Sequence, residues 1–144
     1  MLFGKRKRIV KRILIVEDEP LTAFDNEQML IAAGYEVVAT VDRYADAMAE
    51  LDRDVEVDLI VSDVRLAGER SGVDLAHEAK RRSIPLMFVT GRPPEESAQL
   101  AIAVLLKPYS DRSMRAALDA VNAVLRGDKP KPVKGLTLYL PEAA

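Results

Sequence analysis

Short runs of apolar residues alternate along the chain with longer stretches in which apolar residues recur every three or four positions. The short runs predict buried strands, and the longer stretches predict amphipathic helices. This alternation repeats five times between residues 12 and 127. Strands that alternate with helices in this way form a parallel sheet that is covered on both faces. We therefore expect a doubly wound α/β domain.

Each predicted strand is a run of about six residues, and each is followed by a helix with its own start or stop signal. The strands are "RILIVE", "YEVVAT", "VDLIVSD", "IPLMFVTG" and "IAVLLKP". Pro20 marks the start of the first helix, and Gly34 and Gly127 mark the ends of the first and the last. Only a short interval separates the fourth strand from the fifth, and Pro93 and Pro94 lie in it, so the fourth helix is predicted to be brief.

The two ends of the chain differ in charge and pattern from this central part. Six basic residues and no acid among the first twelve residues leave a charge of −8 for the remainder, since the net charge is −2. We therefore expect a basic arm at residues 1–11, a domain at residues 12–127 and a tail at residues 128–144. The prolines of the tail disfavour a long helix, whereas its segment "LTLYL" could pair as a strand or pack on the domain.

The amino-acid composition excludes several classes of protein. The chain has no cysteine, which excludes disulfides and thiolate metal sites, so any metal would be held by oxygen atoms. No apolar run approaches the roughly 20 residues that span a bilayer, and the basic start lacks the apolar part of a signal peptide. We expect a cytoplasmic protein.

Polar side chains stand at the carboxyl ends of four predicted strands. Glu17 and Asp18 follow the first strand, Asp63 ends the third, Thr90 the fourth and Lys107 the fifth. In an open doubly wound sheet these strand ends share one edge, and ligands bind there. A single acid in such a place can be an ordinary turn or capping residue. The convergence of all five groups favours a functional site.

Three carboxylates that lie together repel one another unless a cation is present. Their hard oxygen atoms suit Mg²⁺ better than Zn²⁺. Thr90 and Lys107 supply a hydroxyl and an ammonium group, both donors to phosphoryl oxygens. The set predicts phosphoryl transfer to a carboxylate, with Asp63 as the nucleophile and Thr90 and Lys107 holding the transferred group.

The motifs "ILIVEDEP", "LIVSDVRL", "FVTG" and "LLKPY" resemble those of response-regulator receiver domains, in the same order. The resemblance implies a flavodoxin-like sheet of five parallel strands in the order 2-1-3-4-5. It also implies Mg²⁺ held by Asp18, Asp63 and the backbone carbonyl of Arg65, with Glu17 acting on the metal through water. A cis peptide between Lys107 and Pro108 is a further implication.

Two positions depart from the common receiver pattern. Val104 stands where most receivers have an aromatic switch residue, and Ala67 stands where a proline is common, in a turn that is one residue longer than usual. Together with "PLMFVTGRP", these departures resemble a variant receiver class whose fourth strand reads Phe-Ala-Thr-Gly. Arg65 and Arg92 flank the site and could contact a phosphoryl group, although two solvated arginines would be equally ordinary.

The resemblance suggests a stand-alone receiver that is fed by a histidine kinase or phosphotransfer protein and signals through a protein partner or acts as a phosphate sink. The alternatives are an unphosphorylated pseudo-receiver and a nucleotide-binding protein, and the lack of a glycine-rich phosphate loop argues against the latter. The basic arm could bind nucleic acid or anionic lipid, but no recognition-helix pattern accompanies it, so nucleic-acid binding is not expected. A homodimer is left open.

Overall fold

Six strands and five helices follow one another in the part of the chain that the computed structural model describes, residues 8–140. The strands are β1 (Arg12–Val16), β2 (Glu36–Val41), β3 (Leu59–Asp63), β4 (Leu86–Thr90), β5 (Ala103–Leu106) and β6 (Leu136–Leu138). The helices are α1 (Pro20–Ala32), α2 (Tyr44–Leu51), α3 (Gly72–Arg81), α4 (Ser97–Leu100) and α5 (Asp111–Arg126).

The strands form one sheet in the order β2-β1-β3-β4-β5-β6. The first five strands are parallel, which confirms the predicted doubly wound class and the order 2-1-3-4-5. β6 runs antiparallel to β5, so the sheet has one strand more than the five expected. The extra strand comes from the tail, where "LTL" of the segment "LTLYL" pairs along the edge of the sheet.

Alternate residues of the buried strands belong to two hydrophobic cores, one on each face of the sheet. Ile13 and Ile15 of β1 face a core shared with α1 and α5, and Leu14 and Val16 face a core shared with α2 and α3. Burial on both faces explains why the central strands read as continuous apolar runs rather than alternating ones.

The helix boundaries largely follow the sequence signals. α1 begins at Pro20, where the Glu19 side chain accepts a hydrogen bond from the backbone of Leu21. α5 ends at Gly127, whose φ of 82° is the left-handed conformation that glycine adopts most readily. α4 has only four residues, as Pro93 and Pro94 in the preceding loop predicted.

Part of the predicted basic arm is anchored to the domain. The backbone N–H groups of Ile9 and Val10 both donate to Asn122 Oδ1, at 2.9 and 2.8 Å. Arg8 lies over the ring of Tyr35, 4.3 Å from its centre. Residues 1–7 lie outside the described residues, and the boundaries of arm, domain and tail stay predictions. Within residues 8–140, no helix has the length and apolar character needed to cross a bilayer.

Candidate functional site

Three acids meet at the carboxyl edge of the sheet, because β1 and β3 are neighbours and pair up to Val16 and Ser62. Glu17, Asp18 and Asp63 each offer a carboxylate oxygen, and these three atoms lie within 4.8 Å of one another. Glu17 is almost fully buried, whereas Asp18 is exposed. Sequence reasoning placed all three at this edge, and the structure brings them together.

Lys107 enters the cluster from the end of β5. Its Nζ donates to Asp63 Oδ2 at 2.8 Å and to Glu17 Oε1 at 3.1 Å. Burial alone would lower the pKa of Lys107, but the hydrogen bonds to the two carboxylates raise it above its usual value. Burial raises the pKa of Glu17, against the opposing effects of a backbone hydrogen bond from Glu19 and of Lys107. The ammonium group therefore stays charged and offsets the repulsion between the acids.

The other oxygen of Asp63 is held by the turn that follows β3. Oδ1 accepts hydrogen bonds from the backbone N–H groups of Val64, at 2.7 Å, and Arg65, at 3.3 Å. Asp63 is 9% exposed, so only a small part of its surface is accessible. The carboxylate is thus fixed in orientation on one side and paired with a cation on the other. Its role as nucleophile and the role of the Arg65 carbonyl as a ligand stay predictions.

Gly72 brings the start of α3 against this turn, and sequence reasoning did not single it out. Its N–H donates to the carbonyl of Val64 at 2.7 Å. A Cβ atom at this position would lie 2.0 Å from the carbonyl oxygen of Asp63. Only glycine permits this close approach of two backbone segments.

Thr90 ends β4 beside β5, opposite Leu106. Its hydroxyl accepts from the N–H of Arg92 at 3.1 Å and donates to the carbonyl of Arg92 at 3.2 Å. The hydroxyl therefore lies at the predicted edge but bonds to its own loop rather than to Asp63 or Lys107. The side chains of Arg65 and Arg92 are exposed.

The two departures from the receiver pattern have structural counterparts. Val104 is 1% exposed and pairs with Phe88 of β4. The large side chain at this level of the sheet therefore comes from β4 rather than from β5. The N–H of Ala67 donates to the carbonyl of Asp42 at 2.9 Å, which ties the longer turn to the end of β2. Proline has no N–H and could not make this bond.

A second polar contact near the site was also missed. The hydroxyl of Tyr109 donates to Asn26 Oδ1 of α1 at 3.0 Å and so joins the segment after Lys107 to the first helix. Burial raises the pKa of Tyr109. Asn26 is 83 positions away from Tyr109 in the sequence, so no local pattern signals this contact. The peptide bond between Lys107 and Pro108 is cis, as expected.

The donor set fits a hard divalent cation. Three carboxylates from two adjacent strand ends supply oxygen atoms, and the exposed Asp18 leaves room for water ligands of the kind that Mg²⁺ retains. A neighbouring ammonium and hydroxyl could hold the oxygens of a phosphoryl group that binds to such an ion. The arrangement is chemically competent for metal-assisted phosphoryl transfer to a carboxylate.

The sequence model of the family described as "response regulator receiver domain" matches residues 13–119. The chain belongs to the response regulator receiver domain family. The match begins in β1 and extends into α5, so it includes every strand end that contributes to the site.

Curated relatives and solved structures agree with this assignment. The receiver is 32% identical over 119 residues to the transcriptional regulatory protein PdtaR of Mycobacterium tuberculosis, covering 77% of this chain and 56% of the relative. It is 33% identical over 111 residues to the phyllosphere-induced regulator PhyR of Methylorubrum extorquens, covering 74% and 41%. The receiver thus spans about half the length of the curated relatives it matches.

Among solved structures, the solution structure of SdrG from Sphingomonas melonis Fr1 is 34% identical, with a TM-score of 0.64. That match covers 76% of this chain and 93% of SdrG. A response regulator receiver protein from Sinorhizobium medicae is 27% identical with a TM-score of 0.65, covering 76% and 92%.

Proposed function

We propose that this receiver accepts a phosphoryl group on Asp63 from the phosphohistidine of a histidine kinase or phosphotransfer protein. The observation that carries the proposal is the contact of Lys107 with both Asp63 and Glu17 at the edge of the sheet. Asp18, Asp63 and the carbonyl of Arg65 would hold Mg²⁺, with Glu17 acting through water. Catalysis is limited to this transfer and to the later loss of the group by hydrolysis.

Oδ2 of Asp63 is suited to be the attacking atom, since Oδ1 is occupied by two backbone N–H groups. Oδ2 forms a bond to phosphorus while the bond from phosphorus to the histidine nitrogen breaks, and the electron pair of that bond stays on the nitrogen. Lys107 passes its hydrogen bond from Oδ2 to a phosphoryl oxygen. Mg²⁺ held by Asp18, Asp63 and the carbonyl of Arg65 would supply positive charge that offsets the negative charge of the phosphoryl oxygens. Thr90 reaches the same group by exchanging its bond to Arg92.

An exposed apolar stripe on α1 supports docking of the phosphodonor protein. Leu21, Phe24 and Ile31 are 75%, 58% and 51% exposed, and their spacing places them on one side of the helix. The stripe begins just after Asp18, so an apolar helical surface docked along it would lie beside the acidic cluster. Phe24→Ser should weaken transfer from the cognate kinase but not from a small phosphodonor, while Leu140→Ser, another exposed apolar position, should leave both rates unchanged.

For the output, we infer a cytoplasmic, single-domain regulator that binds a protein partner or drains phosphoryl groups from another regulator. Near-complete coverage of SdrG supports the single-domain form. Membership of the Phe-Ala-Thr-Gly class is supported by the "FVTG" segment and the short α4. Because Val104 is buried and cannot swing, the signal would pass through the loop after β4 rather than an aromatic switch.

The direct test is treatment of the whole chain with a small-molecule phosphodonor, followed by intact-mass measurement with and without Mg²⁺. The expected result is one phosphoryl adduct that requires Mg²⁺ and disappears in Asp63→Asn. Asp54→Asn, an exposed acid in the loop before β3, is the control and should accept the group normally. An adduct that persists in Asp63→Asn would overturn the proposal.

A pseudo-receiver that acts without phosphorylation is the second candidate, favoured by the buried Val104 and the four-residue α4. Titration with Mg²⁺ separates the two, because a pure interaction module has no need for the ion. Binding of Mg²⁺ at millimolar concentration that is lost in Asp18→Asn supports the phosphorylated form. Absence of both binding and adduct supports the pseudo-receiver.

A further inference from the structure

The edge of β5 is occupied by the chain's own last described strand. Ala103 pairs with Leu138 and Leu105 with Leu136. Beyond the ends of β6, the N–H of Leu106 donates to the carbonyl of Gly135, and the N–H of Tyr139 donates to the carbonyl of Ile102, both at 2.8 Å. All these hydrogen bonds are between backbone groups, so they require an extended strand in this register.

The side chains of this strand complete both hydrophobic cores. Leu136 and Leu138 pack on the core beneath α1 and α5, and Tyr139 packs on the opposite core. Leu140, at the end of the segment, is 64% exposed. A second copy of the chain carries the same segment, so residues 136–140 of that copy would make the same contacts on this edge. An uncovered β5 edge would expose both backbone groups and apolar side chains.

The connection between α5 and β6 has the properties of a hinge. None of residues 128–135 is buried, and Pro130 and Pro132 favour an extended backbone. Gly135 then turns the chain into β6 with a φ of 82°. A Cβ atom on Gly135 would meet nothing within 4 Å, so the need for glycine comes from this conformation alone.

We propose that the β5 edge is an interaction surface for a second copy of this chain, in which two copies exchange residues 136–140. The exchanged dimer is symmetric, since each copy gives and receives the same strand. At low concentration the strand stays on its own domain, because a short linker gives an effective concentration on the order of millimolar.

Substitution at the hinge shifts this balance in a predictable direction. Gly135→Ala strains the turn that the closed monomer needs, whereas an extended linker to a second copy avoids it. The exchanged dimer relieves this strain at both of its hinges. Each relieved hinge should raise the dimer association constant about 5-fold (~1 kcal/mol), which gives about 25-fold for the two. Gly68→Ala is the matched control, because Gly68 has a φ of 86° and open space around it but lies in the turn after β3. Sedimentation of both variants over a range of protein concentrations gives the association constants.

A cross-strand cysteine pair shows which chain supplies the strand. The chain has no cysteine, so Ala103→Cys with Leu138→Cys introduces the sole pair. These residues lie between hydrogen-bonded pairs, where Cα atoms are about 4.5 Å apart and a disulfide fits. Oxidation should give an internal bond in dilute protein and two bonds between chains in concentrated protein, visible by non-reducing electrophoresis.

Two results would overturn the proposal. One is a dimer whose cysteines link only within each chain, because that dimer would use another surface. The other is a Gly135→Ala protein that associates no more strongly than Gly68→Ala. The sedimentation comparison needs no cysteine variant, so it decides the question even if the cysteine pair prevents folding.

Discussion

Gly72→Ala tests the packing that holds the phosphoryl-acceptor turn. The new Cβ would lie 2.0 Å from the carbonyl oxygen of Asp63 and 2.9 Å from Cα of Val64. Real Cβ atoms essentially never approach another heavy atom within 3.0 Å, so α3 and the turn must separate by roughly 1 Å. Both contacts are with backbone, which cannot rotate away as a side chain would.

Overpacking in a core destabilises by about 1 to 3 kcal/mol, and rigid backbone on both sides places this site at the upper end. Replacing glycine by alanine in a helix returns at most about 1 kcal/mol. The free energy of unfolding should therefore fall by about 2 kcal/mol, which corresponds to a decrease of about 7 °C in the melting temperature for a domain of this size.

Urea unfolding followed by circular dichroism measures this change. Gly91→Ala is the control, because a Cβ there meets no atom within 4 Å and its φ is not in the left-handed region. Its free energy of unfolding should stay within about 0.5 kcal/mol of the original. If the two variants unfolded at the same urea concentration, the close approach of α3 to the turn would be refuted.

Three further substitutions test separate contacts. Lys107→Ala leaves two carboxylates without their cation and should lower the free energy of unfolding by about 1 to 2 kcal/mol, less than for a fully buried ion pair because Lys107 is partly exposed. In thermal scans, added Mg²⁺ should raise the melting temperature of this variant more than that of the original protein. An equal rise in the two proteins would contradict this. Ala67→Pro removes the hydrogen bond to Asp42 and should cost about 1 kcal/mol in urea unfolding, whereas Ala67→Ser, which keeps the N–H, should not. Asn122→Leu leaves two backbone N–H groups of the arm without an acceptor and should lower the free energy of unfolding by about 3 kcal/mol. An unchanged free energy of unfolding would mean that the arm does not hold this position.

The sequence predicted which side chains meet at this edge, because their placement follows from topology. Glu17, Asp63 and Lys107 are far apart in the chain, yet each ends a parallel strand, and such ends meet at one edge. The brief α4 was predictable for a local reason, since Pro93 and Pro94 lie in the short interval between β4 and β5. Neither inference needed any knowledge of side-chain contacts.

Features that depend on tertiary contact were not predictable. The sequence left open whether "LTLYL" would pair as a strand or pack on the domain, because the three residues of β6 are too few for a periodic pattern and the strand forms only because the β5 edge is available. The need for Gly72 depends on how closely α3 approaches the turn after β3. The value of an N–H at position 67 depends on the position of β2, and the Asn26 partner of Tyr109 depends on how α1 packs.

The central claim is that Asp63 is the residue that carries the phosphoryl group, and chemical trapping tests it most directly. Protein treated with a small phosphodonor and Mg²⁺ is reduced with borohydride, which converts an aspartyl phosphate to homoserine, and its peptides are then mapped by mass spectrometry. We expect homoserine at position 63, and none when Mg²⁺ is left out. Modification at Glu17 or Asp18 instead, or no modification at any acid, would contradict it.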